Sequence, residues 1–112
     1  MNVEEFRDYC LGKKYVEELF PFGDDVLVFK VCGKMFALAA LYPFESIKLK
    51  CDPDMAIELR DQYSEIVAAF HMNKKHWNDV SVVGSLSDEF LMSQIDNSYD
   101  LILKKNKCVK KC

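Results

Sequence analysis

Two apolar runs separated by two residues constrain the fold of this chain more than any other feature. Val26–Val31 and Lys34–Leu41 are rich in β-forming side chains, and only Cys32 and Gly33 lie between them. Two such runs joined by a two-residue turn that ends in glycine are typical of a β-hairpin. Strands joined by a short turn pair antiparallel, so the hairpin predicts an antiparallel sheet.

Further strands are predicted on the C-terminal side of the hairpin. Ser46–Cys51 alternates apolar and polar residues, which favours a strand with one buried face and one exposed, basic face. Ile66–Phe70 and Val80–Val83 are short apolar runs of the length typical of strands. Lys13–Phe20 has no clear pattern.

Three helices are predicted from apolar spacing and capping residues. The first is amphipathic, begins near Val3 and ends near Gly12. The second follows an aspartate N-cap and a proline at its first position, Asp52-Pro53, and the third follows Ser87. This order of elements predicts an α+β fold: a two-layer sandwich with an antiparallel sheet of about five to six strands and helices packed on one face.

Length and composition favour one cytoplasmic domain over residues 1–112. The net charge is −3, half of the residues are apolar, and the longest apolar run has far fewer than the ~20 residues that span a membrane. The acidic start, Met1–Glu5, does not resemble a signal peptide. Three of the five cysteines lie in apolar segments and are predicted to be buried and reduced. Residues 104–112 contain five lysines and no acid, and we expect them to form a basic, mobile tail.

The segment His71–Asn78 is the strongest candidate for a functional site. It contains both histidines, the only tryptophan, two adjacent lysines and two asparagines, and it lies between two predicted strands. A core strand would alternate apolar and polar residues, which this segment does not do. We therefore expect an exposed loop tip that offers cations to an anionic partner and an indole for stacking.

Several segments of the sequence resemble the MmcQ/YjbR family. The resemblance rests on Pro21–Asp24, Val28–Ala37, Leu49–Pro53, His71–Asn78 and the ending Ser85–Leu101, so it covers essentially the whole chain. It implies a fold of the CyaY-like (frataxin-like) type. It also implies a non-enzymatic, DNA-binding protein whose two hairpins project as a "double wing".

Duplex DNA as the partner assigns a role to each candidate residue. Lysines of the two hairpins and of the third strand would contact phosphates, the asparagines would contact bases or sugars, and the aromatic rings would stack. The predicted contact residues are Lys30, Lys34, Lys48, Lys50, His71, Asn73, Lys74, Lys75, His76, Trp77 and Asn78. We expect weak, salt-sensitive binding by a monomer.

Two other functions remain open. The same tip would also suit a regulatory module that binds a protein or a small anion, and the negative net charge is compatible with this. Clustered carboxylates near the N-terminus would suit weak iron binding, as in frataxin-like folds. These acids are Glu4, Glu5, Asp8, Glu17, Glu18, Asp24 and Asp25. We predict no catalytic residues, no cofactor and no structural metal site, since the chain contains no known catalytic or nucleotide-binding motif.

Overall fold

The computed structural model describes residues 1–106, and in this range three helices pack on one face of a six-stranded antiparallel sheet. The helices are α1 (Val3–Leu11), α2 (Pro53–Gln62) and α3 (Asp88–Asn106). The strands are β1 (Glu17–Leu19), β2 (Val26–Val31), β3 (Lys34–Ala40), β4 (Ser46–Lys50), β5 (Ile66–Ala68) and β6 (Trp77–Ser81). The predicted α+β fold is therefore confirmed.

The strand order in the sheet is β1-β2-β3-β4-β6-β5, and every pair of neighbours is antiparallel. The central hairpin, β2–β3, forms as predicted. Its two turn residues, Cys32 and Gly33, have φ values of 56° and 71°. Two consecutive positive φ values define the type I′ turn, whose twist matches that of the flanking strands.

Capping residues set where the three helices begin, and those of α2 and α3 were predicted. The Asn2 side chain accepts a hydrogen bond from the Glu5 backbone N–H while the Glu5 carboxylate accepts one from the Asn2 N–H, which is a capping box. Asp52 caps α2, and the Ser87 hydroxyl accepts a hydrogen bond from Phe90 N at the start of α3. No helix within residues 1–106 is long and apolar enough to cross a bilayer.

The main core lies between the sheet and the helices. Phe6 and Cys10 of α1 pack with Phe29 of β2, and the aromatic rings of Phe6 and Phe29 meet edge to face, with centroids 5.5 Å apart. On α3, the Tyr99 ring meets Phe36 in the same way, at 5.4 Å. These aromatic contacts tie both helices to the central hairpin.

Three sequence-based expectations need correction or extension. The segment without a clear pattern contains β1, which pairs with β2. The last strand begins at Trp77, three residues before the predicted Val80. Cys10 and Cys51 are buried free thiols as predicted, but Cys32 is half-buried and disulfide-bonded, so the prediction of a reduced thiol is wrong there. Most of the predicted basic tail, residues 107–112, lies outside the described range.

Candidate functional site

Both predicted hairpin loops lie at the same end of the sheet. The β2–β3 turn is at this end. β4 finishes there too, because its antiparallel pairing with β3, Lys48 with Leu38 and Leu49 with Ala37, runs towards the start of β3. Lys50 in turn pairs with Trp77, so β6 begins at this end and the preceding loop, residues 69–76, lies there too. We call the β2–β3 turn, the end of β4, the loop 69–76 and the last turn of α3 the hairpin end.

Lysines from three separate elements come together at the hairpin end. Lys34 follows the β2–β3 turn, Lys50 ends β4, and Lys105 lies in the last turn of α3. Burial and the positive charges of Lys105 and Lys34 lower the pKa of Lys50 from its usual value. Mutual repulsion of this kind marks a surface that would be stabilised by an anion.

Lys74 and Lys75 are exposed in the loop 69–76, as predicted. The Lys74 ammonium lies 5.4 Å from the centroid of the exposed Phe70 ring. Arg60 of α2 holds the loop, because its guanidinium donates to the backbone oxygens of Lys74 and Ala56. The Asn73 side chain accepts a hydrogen bond from Lys75 N, so it shapes the turn.

Trp77 and Asn78 are not available as contact residues. Trp77 is 7% exposed and Asn78 is 2% exposed. The two side chains point to opposite faces of β6: Trp77 packs with Val28 and Leu38 on the face without helices, and Asn78 donates a 3.5 Å hydrogen bond to Ala56 O of α2. The expected roles in stacking and in contacting bases are therefore wrong for these two residues.

The remaining predicted contact residues differ in how exposed their side chains are and in which neighbours they lie against. Lys48 is half-buried and its ammonium lies 3.4 Å from the Asp79 carboxylate on β6. Lys30 is half-buried opposite Glu17. His71 is exposed, whereas His76 is half-buried and its backbone oxygen accepts a 2.7 Å hydrogen bond from Cys51 N.

The second loop does not project as a free wing. Ala69 is fully buried and Met72 is half-buried, and both pack with Trp77, Leu38 and Val28 on the sheet face that carries no helix. The loop 69–76 is thus folded over this face, which we call the open face. The loop 69–76 therefore does not match the expectation of a projecting wing.

A cavity of about 460 Å³ lies on the open face beside the folded loop. Most of its lining is apolar, with one lysine and one histidine; the lining residues are Phe22, Val26, Met35, Leu38, Ala39, Ala40, Lys48, His71 and Met72. Sequence patterns missed this cavity, because its wall comes from a turn, three strands and a loop distant in the chain. The one available signal was the pair of methionines beside polar residues, which are typical of adaptable apolar surfaces.

Metal binding by the N-terminal acids finds no support in the described part of the chain. Within residues 1–106, no three histidine, cysteine, aspartate or glutamate side chains come close enough to hold an ion. Glu5 is used in the α1 capping box, and Glu18 forms an ion pair with Arg7. Cys51 also lacks the features of a nucleophile, because burial is the largest of the effects that raise the pKa of its thiol.

The fold and the hairpin end define a class of small α+β proteins in which one sheet face is covered by helices and the other by a loop. The YjbR family model matches residues 11–101. The chain belongs to the YjbR family.

Relatives and solved structures agree with this assignment. The chain is 37% identical to YbdF of Escherichia coli O157:H7 over 89% of this chain and 83% of that protein. It is 31% identical to YjbR of Escherichia coli K12 over 88% and 85%. The crystal structure of Deinococcus radiodurans DR2400, described with a DUF419 domain, has a TM-score of 0.85 at 37% identity and covers 93% of this chain and 80% of that one. A crystal structure of a Pseudomonas syringae protein has a TM-score of 0.76 at 29% identity, covering 90% and 98%.

Proposed function

We propose that this is a cytoplasmic, non-enzymatic protein that binds the phosphate backbone of duplex DNA with its hairpin end. The observation that carries the proposal is the convergence of Lys34, Lys50 and Lys105 from three elements, at the same end of the sheet as the exposed Lys74 and Lys75. Lysines of this kind contact phosphates and carry little sequence information, so the binding is weak and non-specific.

The negative net charge is compatible with this proposal because part of the negative charge lies far from the hairpin end. α3 has 19 residues and is about 28 Å long, and it runs from an acidic first turn to a basic last turn. The N-terminal amine of Met1 lies 3.1 Å from Asp88, so the acidic first turn of α1 is at the same end as the start of α3. The acidic starts of α1 and α3 thus lie far from the hairpin end, whereas Asp52 and Asp54 at the start of α2 follow β4 directly and reduce the positive potential there.

The test compares two variants with equal net charge. Lys74→Gln/Lys75→Gln removes two positive charges from the hairpin end, and Gln62→Glu/Ser93→Glu adds two negative charges at exposed helical positions elsewhere. Both change the formal net charge from −3 to −5. Fluorescence anisotropy with a labelled duplex, titrated at several salt concentrations, gives the affinity and its salt dependence.

The hairpin-end variant should bind much more weakly, and its salt slope should fall by about 1 for each phosphate that the variant no longer neutralises. The control should retain most of the affinity, and the melting temperatures should be nearly equal, because Lys74 and Lys75 are exposed. Lys74→Glu/Lys75→Glu should abolish binding. Equal reductions of affinity in both charge-matched variants, or an affinity insensitive to salt, would refute the proposal.

A further inference from the structure

The cavity on the open face has the size and lining of a small-molecule site. Its volume of about 460 Å³ falls within the ~300–1,000 Å³ range typical of ligand pockets. An apolar cavity of ~150 Å³ already holds a benzene ring, so an apolar group larger than one ring fits here. Its lining includes the flexible side chains of Met35 and Met72 and the branched side chain of Leu38.

The cavity is also lined by a cation whose hydrogen-bond donors are only partly used. Lys48 lines it, and within residues 1–106 the only hydrogen-bond acceptor of the Lys48 ammonium is Asp79, at 3.4 Å. An ammonium group has three hydrogens to donate, so two remain for a ligand. His71 is the other ionisable side chain of the lining, and no carboxylate from the described residues lines the cavity. The charge pattern therefore favours a ligand with an anionic group.

We propose that this cavity binds a small apolar molecule that carries one carboxylate. The apolar part lies against Met35, Leu38 and Met72, and the carboxylate lies towards Lys48 and His71. The ligand competes with Asp79 for the Lys48 ammonium, which makes the affinity depend on both members of this ion pair. The site does not use the lysines of the hairpin end, although His71 and Met72 lie in the loop 69–76 that carries Lys74 and Lys75.

Trp77 provides an internal reporter for this site. It is the only tryptophan of the chain, and it packs in the same cluster as Met35, Leu38 and Met72. A ligand that enters the cavity touches these three side chains and so changes the surroundings of the indole. Tryptophan fluorescence therefore reports binding, and the methyl NMR signals of Met35 and Met72 give the location.

The experiment uses octanoate, with octanol and octylamine as neutral and cationic probes of the same chain length. Octanoate should bind at least about tenfold more tightly than octanol, which corresponds to a charge-assisted hydrogen bond. Lys48→Met should remove this preference without weakening octanol binding. Asp79→Asn keeps the shape of the side chain but frees the Lys48 ammonium, so it should strengthen octanoate binding.

A second variant tests the cavity itself. Ala40 is exposed at the end of β3 and lines the cavity, so Ala40→Phe fills it while the main core remains intact. Octanoate binding should be lost in Ala40→Phe at an unchanged melting temperature. The proposal fails if octanoate does not shift the Met35 and Met72 signals, if octanol or octylamine binds as well as octanoate, or if Asp79→Asn weakens octanoate binding. It also fails if sedimentation shows that a second copy occupies the cavity in a dimer that Ala40→Phe disrupts.

Discussion

The two faces of the sheet differ in how completely they bury their apolar side chains. On the helix-covered face, Phe6, Phe29 and Phe36 are fully buried in one continuous core. On the open face, the cluster around Trp77 is small, and Phe22 beside it remains 61% exposed at the rim of a cavity. The covered face therefore supplies most of the folding free energy, while the open face retains the cavity volume and a lysine with unused donors, which binding requires.

The largest expected effect concerns the covered face. Phe36→Ala should lower the free energy of unfolding by about 3–5 kcal/mol, because it leaves a cavity between Phe29 and Tyr99 that their rings cannot fill. Urea denaturation followed by circular dichroism measures this decrease. A decrease below about 1 kcal/mol would mean that the covered face is not the main source of stability.

A smaller loss in the free energy of unfolding is expected from a substitution where α3 crosses the sheet. The buried Ser98 hydroxyl accepts a 2.9 Å hydrogen bond from Lys50 N and donates one to Phe36 O, so it joins β4 to β3. Ser98→Ala leaves both backbone groups without this partner and should cost about 1–3 kcal/mol in urea denaturation. Ser98→Thr, which keeps the hydroxyl, is the control, and an Ala variant as stable as wild type would show that the bridge is dispensable.

Alkaline pH should destabilise the covered face through Cys10. Burial raises the pKa of this thiol from 9.0 to about 12, so the folded state keeps the proton that the unfolded state releases above pH 9. The contribution of Cys10 to the free energy of unfolding is therefore fully present below pH 9. It falls by about 1.4 kcal/mol per pH unit between pH 9 and pH 12.

Urea denaturation at pH 8, 10 and 11 measures this slope for Cys10. The pKa of Tyr9 is also raised to about 12, chiefly by its hydrogen bond to Asp96, so its deprotonation adds a smaller, solvent-screened decrease above pH 10. Cys10→Ala should thus flatten the curve from pH 9, and Tyr9→Phe only from pH 10. A wild-type stability that stays constant up to pH 11 would contradict the burial of Cys10.

The smallest effect is expected on the open face. Met72 is half-buried against the Trp77 cluster, so Met72→Ala should cost less than about 1 kcal/mol, well below a fully buried methionine. The variant should nevertheless shift the tryptophan emission to longer wavelength, because water gains access to the indole. A destabilisation as large as that of Phe36→Ala would remove the distinction between the two faces.

Local signals account for the parts of the fold that the sequence predicts. The β2–β3 hairpin depends on its two-residue turn, and the starts of α2 and α3 depend on Asp52 and Ser87, all of which act within a few residues. β1 has no such signal: Glu17–Leu19 is short and mostly polar, and it becomes a strand because β2 offers it an unpaired edge.

The candidate site was less predictable for the same reason. Exposure of Lys74 and Lys75 follows from their place in a polar turn, whereas the burial of Trp77 depends on the register between β6 and β4. A shift of one residue in register would exchange Trp77 and Asn78 between the two faces. The loop composition predicted polar contact chemistry but not which of its residues face inward.

By itself the sequence determined the α+β class, the central hairpin, the helix starts and the basic character of the loop 69–76. These follow from periodicity, turn residues and caps, which are short-range properties. Only the tertiary structure decided that Trp77 and Asn78 are buried, that Lys48 pairs with Asp79, that Lys34, Lys50 and Lys105 converge, and that the open face holds a cavity. These depend on contacts between distant segments, which strand order and register bring together.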